Sequence, residues 1–298
     1  MSVALEHVAT RLPDDTAVRI ADLVEDRVIE GVFAVTRKRR LRTRAGRAYL
    51  ALELADATGH VEGRVWSDVE LLDPRFREGD AVRVLARVER FRDRLQLDVR
   101  SVEPTKAEPG ALVPGTRRDL DELDGFLEFL AGELAHPGLR ALVDAFIGDL
   151  AFRERLRSLP ATPDGHHRYA GGLLEHTVAV ATLARDATEL HRRLRRDLVV
   201  AAALVHDAGR TRELDGGPLA LPTEEGRLLG HVHLGLRMID ERAGVLAPDV
   251  RAELLHAVAC HHDARAARTA EALVLYHANQ LDAAAATRPA GEVAETPS

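Results

Sequence analysis

The chain has 298 residues, a formal net charge of −7 and a hydrophobic fraction of 46%. That length accommodates two domains with a buried core, and the acidic balance argues against a general nucleic-acid coat or an obligate membrane-surface protein, though not against a local basic patch. A single cysteine, Cys260, excludes an intrachain disulfide and points to a reducing compartment. The opening MSVALEHVATRLPDD has no basic-then-apolar leader and no apolar run is long enough to span a bilayer, so a cytoplasmic protein with no membrane partner is expected.

Residues 1–20 read as an N-terminal segment. From residue 21 to 104 the apolar residues recur with a period of two, which predicts strands near 28–35, 48–54, 60–66, 81–88 and 95–102. A short helix is expected near Asp68 to Leu72, after the third strand, and a Thr58-Gly59 turn precedes that strand. Five short strands with one helix after the third suit a small barrel of the OB type. The stretch PTKAEPGALVPGT, with three prolines and two glycines, has linker composition and sets a linker over 105–117. Beyond it the period becomes helical: a connecting segment over 118–160, an all-helical domain over 161–286, and a polar, disordered tail over 287–298.

Between the first two strands, Arg37, Lys38, Arg39, Arg40, Arg42, Arg44 and Arg47 place seven positive charges with no acid among them. An idle solvated face normally mixes signs. A single-sign rim on a small barrel suits a phosphate backbone, with aromatic rings as platforms for bases. Phe33, Tyr49, Trp66 and Phe91 are the available rings, and Tyr49, Trp66 and Phe91 join the arginines as candidate nucleic-acid contacts.

Eleven of the 14 histidines lie between His166 and His277. The apolar run Leu198 to Val205 ends on His206-Asp207, which puts a carboxylate at the negative end of a helix, where a cation would have to answer it. The dipeptide alone is weak evidence, since His262-Asp263 repeats it. The signal comes from company. His176 opens a helix running to about Leu190, His231 (with His233 a weaker candidate) sits in a helix begun near Glu225, and a helix started by Pro248 ends at His261-His262. A helix capped by Thr269 carries His277, Asn279 and Asp282. Five helices delivering His, Asp or Asn near their ends predict a metal centre, and imidazole with carboxylate suits one or two Mn, Fe, Zn, Ni or Co ions.

These residues carry a resemblance. The order His176, His206-Asp207, His231, His261-His262 is similar to the HD superfamily of metal-dependent phosphohydrolases. Within it, HHRYAGGLLEHT (166–177), EGRLLGH (225–231) and LYHANQLDA (275–283), together with GRAYLALELAD (46–56) and VEGRVW (61–66), resemble the YhaM-type 3′-to-5′ exoribonucleases, an OB domain followed by an HD domain. The resemblance covers roughly residues 21–286. It implies His176, His206, Asp207, His231, His261 and His262 as metal ligands, with Asp207 bridging if two ions bind, and Mn²⁺ ahead of Co²⁺, Fe²⁺ or Zn²⁺. It also implies His166 and His167 near the substrate phosphate or base. Three positions depart from the pattern. Arg210 stands where lysine is usual, Asp263 where glycine often follows the paired histidines, and Asn279 where the last aspartate falls. Asp282, three residues on and on the same helix face, is the candidate to take its place as a ligand.

The function so implied is cleavage of the last phosphodiester at the 3′ end of single-stranded RNA, or DNA, releasing mononucleotides. Asp207 and Arg210 would act at the reacting phosphate while the barrel holds the strand. Two rivals stand beside it: a phosphohydrolase of small nucleotides with a regulatory barrel, and a single-strand binder whose HD site is degenerate. A homo-oligomer is compatible with the sequence.

Overall fold

The computed structural model describes residues 18–107, 112, 114–162, 165–217 and 219–287. The expected N-terminal segment up to residue 17, linker residues 108–111 and 113, and the expected tail from residue 288 lie outside them. The chain divides into two units, at Lys106 and Ala107.

In the first unit, β1 (Val28–Arg42), β2 (Ala48–Asp56), β3 (Gly59–Val65), β4 (Ala81–Phe91) and β5 (Arg94–Pro104) form a closed barrel in the order β1-β2-β3-β5-β4. A short helix, α1 (Val69–Leu72), follows the third strand as expected. β3 runs parallel to β5 and the other pairs are antiparallel. Alternating residues fill the interior, among them Phe33, Leu50, Leu54, Val84 and Leu97, all fully buried. Phe33 is therefore core and unavailable to a ligand.

β1 closes the barrel because it serves two neighbours. Its first half pairs with β4 and its second with β2, with a register shift between Val35 and Arg37, and a bulge of this kind lets one long strand turn a barrel corner. This corrects the reading of the basic run as an inter-strand loop: residues 36–42 belong to β1, and the hairpin loop is only 43–47, turned by Gly46 at φ 80°. The strand pleat then separates the five charges that lie on β1, while Arg44 and Arg47 belong to the loop. Arg40 faces α1, and Lys38 faces the residues that follow that helix. Lys38 Nζ lies 2.9 Å from Asp73 Oδ1, donates to the Asp73 carbonyl and to the Phe76 carbonyl at 2.6 Å, and sits 4.4 Å above the Phe76 ring. Arg40 pairs with Glu70 and, at 3.6 Å, with Asp73. Those two cations are spent on the fold.

In the second unit the described residues contain nine α-helices: α2 (Leu120–Gly132), α3 (Pro137–Ile147), α4 (Leu150–Ser158), α5 (Gly172–Leu190), α6 (Arg196–Val205), α7 (Arg210–Glu213), α8 (Glu224–Arg242), α9 (Pro248–Ala259) and α10 (Ala270–Thr287). Side-chain caps mark several starts. Asp119 accepts from Asp121 and Glu122 N–H, Asp149 from Ala151 and Phe152, and Thr223 from Gly226, each the kind of cap that stabilises by about 1 kcal/mol. One apolar core joins all of them except the short, polar α7. Helices α2 to α4, expected as a separate connecting segment, contribute Leu123, Leu142, Phe146 and Leu156 to the same core as α5 and α6. In α6 every residue from Leu198 to Val205 is buried, as befits a helix that is apolar all round. It runs through the middle and delivers its C-terminal end to the interior. No helix among the described residues is long and apolar enough to cross a membrane.

Candidate metal centre

His206 and Asp207 follow directly on α6, at its buried end. His206 Nδ1 lies 2.8 Å from the Ala203 carbonyl. A carbonyl can only accept, so Nδ1 carries the proton and Nε2 presents a lone pair. His261, just beyond α9, is fixed in the same way, with Nδ1 2.5 Å from the Val258 carbonyl. His176, fully buried in α5, has Nδ1 2.6 Å from Asp282 Oδ2 on α10. Its Nε2 therefore also presents a lone pair, and it faces His206 Nε2 at 3.2 Å. Two lone pairs at that distance cannot bond to each other; they can share a cation.

Asp207 lies between two such groups. Its Oδ2 is 3.8 Å from His176 Nε2 and 3.7 Å from His206 Nε2. Its Oδ1 is 3.4 Å from His231 Nε2 and 3.5 Å from His261 Nε2. His262 Nε2 lies 2.9 Å from His231 Nε2 and is the exposed member of the second group. His176, His206 and Asp207 thus converge on one side, and Asp207, His231, His261 and His262 on the other, each set within 4.8 Å. Among the described residues four buried polar side-chain atoms lack a hydrogen-bond partner: Asp207 Oδ1, His261 Nε2, Arg210 Nε and His166 Nε2. All four belong to these residues or their immediate neighbours. Buried polar atoms are nearly always paired, so the donor set fits one or two divalent ions with mixed N/O ligation.

Glycines allow the convergence. A Cβ on Gly209 would come within 1.9 Å of the His231 carbonyl oxygen, so only glycine lets the HDAG segment approach α8 this closely. Within α8, Gly230 takes φ 70° and breaks the helical path. The His231 N–H freed by that break donates to Glu213 Oε1 at 3.1 Å. Glu213 Oε2 accepts from Arg210 at 2.6 Å, and Oε1 lies 3.5 Å from His231 Nδ1. One carboxylate thus holds both the Arg210 guanidinium and an imidazole of the second group. Burial opposes its charge, but the bonds from His231 and Arg210 pull the carboxyl below the ordinary range. The sequence reading did not single out Glu213, whose role appears only when α7 meets the kink in α8.

Other predicted residues fall less simply. Arg210 Nε is 3.8 Å from Asp207 Oδ2. His166 stands beside these groups, its ring 4.7 Å from that of His176. His167 does not face an open site: it is 6% exposed, with Nδ1 2.6 Å from the Tyr169 hydroxyl and Nε2 2.8 Å from Asp282. Asn279, 2% exposed, donates from Nδ2 to the His261 carbonyl at 3.1 Å. Asp282 does not take its position. His167, His176 and Asp282 form a third compact group, but 2.6 and 2.8 Å are hydrogen-bond separations, so Asp282 orients His176 in the carboxylate–histidine manner. Two hydrogen-bonded rings hold its carboxyl below the ordinary range against the pull of burial. His277 and His233 are exposed and outside these groups.

Burial lowers His206 to about 3 and His166 to about 4. The same groups titrate near 6.5 in the unfolded chain, which therefore binds more protons between that pH and about 4. Stability contributed by the neutral rings is present above pH 6.5 and lost as pH falls through this window. The metal-free protein is expected to show a thermal midpoint that declines from pH 7 to 4.5. A flat or rising midpoint would contradict the buried, neutral placement of these rings.

On the barrel, Arg37, Arg39, Arg44 and Arg47 are exposed and form no ion pair among the described residues, while Arg42 donates to the Gly46 carbonyl at 2.9 Å. Tyr49 and Trp66 stack on each other, centroids 4.7 Å apart and 30° between planes, with the Arg64 guanidinium 6.0 Å from Tyr49. The register aligns Arg39, Ala51 and Arg64 across β1, β2 and β3, so cations and rings share one strip. Arg64, which also pairs with Glu62 at 2.6 Å, was not among the expected contacts, because its place beside Arg39 and Tyr49 shows only through that register. Phe91, 58% exposed at the end of β4, carries Arg92 over its ring at 5.2 Å.

Comparison with known proteins agrees with both units. Residues 32–105 match the family described as an OB-fold nucleic acid binding domain, and residues 173–284 match the HD domain. The 3′-5′ exoribonuclease YhaM of Oceanobacillus iheyensis is 29% identical over 247 residues, covering 78% of this chain and 75% of that protein. The Bacillus subtilis protein of the same name is 25% identical over 253 residues, covering 80% and 79%. A domain of replication protein A from Methanococcus maripaludis matches 30% of this chain and 97% of its own, at 21% identity and TM-score 0.27. The fold is an OB-type barrel followed by a helical HD domain.

Proposed function

We propose that this chain, which joins an OB-fold nucleic acid binding domain to an HD domain in the order of the YhaM exoribonucleases it resembles, is a metal-dependent 3′-to-5′ exonuclease. Its substrate is single-stranded RNA and its products are mononucleotides. The observation that carries the reading is the convergence of imidazole lone pairs on Asp207, with buried donor atoms left unpaired, in a chain that also bears a cationic, aromatic strip on a barrel.

His176 and His206 would hold an ion on one side of Asp207, and His231, His261 and His262 on the other. A divalent ion there makes a nucleophile available at neutral pH and draws charge from a phosphoryl oxygen. The chain's own groups do the rest. Arg210, anchored by Glu213, keeps a fixed positive charge beside the phosphate oxygens. His166 Nε2, buried and unpartnered beside His176, would bond the substrate phosphate or base. Tyr49 and Trp66 offer stacking faces, while Arg37, Arg39 and Arg64 track the backbone and supply affinity that falls with salt.

The test is degradation of matched single-stranded RNA and DNA oligomers carrying a 5′ label, with Mn²⁺, Mg²⁺, Co²⁺ or no added metal. A metal-dependent ladder that shortens from the 3′ end, absent in His206→Ala, is expected. Hydrolysis of free nucleotides alone would assign the chain to the small-nucleotide phosphohydrolases. Tight strand binding without metal uptake or cleavage would make it a binder.

A further inference from the structure

The hydrogen bonds that hold His176 do not stop at Asp282. The oxygen that takes His176 Nδ1 at 2.6 Å also takes His167 Nε2 at 2.8 Å. The other nitrogen of His167 shares a 2.6 Å bond with the Tyr169 hydroxyl. Tyr169 donates to Glu175 Oε2 at 2.9 Å, and the Thr116 hydroxyl donates to that same oxygen at 2.6 Å. Thr116 is itself pinned. Its N–H donates to the Ala170 carbonyl and Ala170 N–H to the Pro114 carbonyl, both at 2.9 Å, while Arg118 N–H donates to Thr116 Oγ1 at 3.1 Å.

The backbone of this region is bent to make the chain of bonds. His167 takes φ 46° and Gly171 φ 81°, and a Cβ on Gly172 would come within 2.1 Å of the His167 carbonyl oxygen. A non-glycine residue in the left-handed region persists only where its surroundings over-determine it. Here both nitrogens of the His167 ring are engaged and its neighbour Gly172 admits the close approach.

We infer that Thr116, Glu175, Tyr169 and His167 are positioning residues for the metal centre, a continuous hydrogen-bonded outer shell that fixes the ring of His176 through Asp282. None of the four presents a free ligand atom to the ions. Each acts through the next, because a carboxylate bonded to two rings through one oxygen orients both, and a loosened His167 leaves Asp282 free to turn away from His176. The stretch just past the barrel unit is thereby part of the support of the site, so that the turn from His167 to Gly172 and Thr116 serve one purpose. The inference rests on the reading of His176 as a metal ligand.

The experiment uses the full chain with Mn²⁺ alone as the probe, following the free ion by electron paramagnetic resonance, with thermal midpoints of the metal-free proteins alongside. Tyr169→Phe and Thr116→Val are expected to weaken Mn²⁺ binding by about threefold to tenfold, less than the 10–100-fold typical of a group bonded straight to a ligand. Thr116→Ser, which keeps the hydroxyl, should bind as the wild type does, and metal-free midpoints should stay close together. Wild-type affinity in both Tyr169→Phe and Thr116→Val overturns the inference, as does a Thr116→Ser variant as weak as the valine. A wild-type chain that takes up no Mn²⁺ defeats instead the reading of the site on which it rests.

Discussion

Asp207→Asn should abolish Mn²⁺-dependent stabilisation and cut nuclease activity by more than about 100-fold, the upper end for a residue that only supports a ligand. The carboxylate is 4% exposed, and each oxygen faces a different set of imidazoles at 3.4–3.8 Å. An asparagine can offer one carbonyl oxygen to one side and turns an N–H₂ toward the lone pairs of the other. It also removes the sole carboxylate common to the two groups. The fold itself should survive, because His206 and His261 keep their main-chain bonds and Arg210 keeps Glu213. At Mn²⁺ one hundred times its Kd the wild type should gain about 2.7 kcal/mol in stability, and the variant almost none. Calorimetry with and without Mn²⁺ measures the difference. A variant that still responds to the ion like the wild type would remove Asp207 from the centre.

The residues behind that prediction were legible because each carries its own signal. His206-Asp207 follows the apolar run of α6, His176 lies near the start of α5, His231 sits within the helix begun at Glu224, and His261-His262 follows the end of α9. Their types and places need no knowledge of what they touch. The barrel strands were legible for a similar reason, since the period of two is local. What escaped depends on contacts between distant positions. Lys38 reads as a free cation until Asp73 and Phe76, more than 30 residues away, are seen to engage it. His167 reads as a substrate contact until Asp282, 115 residues on, takes its Nε2. Glu213 is unremarkable on a four-residue helix until the kink at Gly230 turns the His231 N–H toward it. The extent of β1 escaped because arginines carry no alternation of polarity, and only pairing with β2 shows that the run is a strand.

Asn279→Asp should act in the opposite sense to the change at Asp207, weakening the metal-free protein and strengthening its hold on the ion. Asn279 stands where the resemblance places an aspartate, and it is 2% exposed with Nδ2 donating to the His261 carbonyl at 3.1 Å. A carboxylate there loses the donor and sets an acceptor against an acceptor. Leaving a buried group unsatisfied costs about 1–3 kcal/mol, and more when it is charged. The asparagine is thus more than a missing ligand, since it fixes the main chain that carries His261 and His262, and aspartate cannot do so without a cation. With Mn²⁺ present the added negative charge lies beside His262, whose Nδ1 is 3.5 Å from the Asn279 amide, and attraction in a buried site favours the bound state. The expected result is a lower thermal midpoint without metal and a larger rise on adding Mn²⁺. Were the variant as stable as the wild type without metal, the bond to His261 would be of no consequence. Were Mn²⁺ bound no more tightly, residue 279 would lie outside the field of the ions, and Asp207 alone would carry the negative charge of the centre.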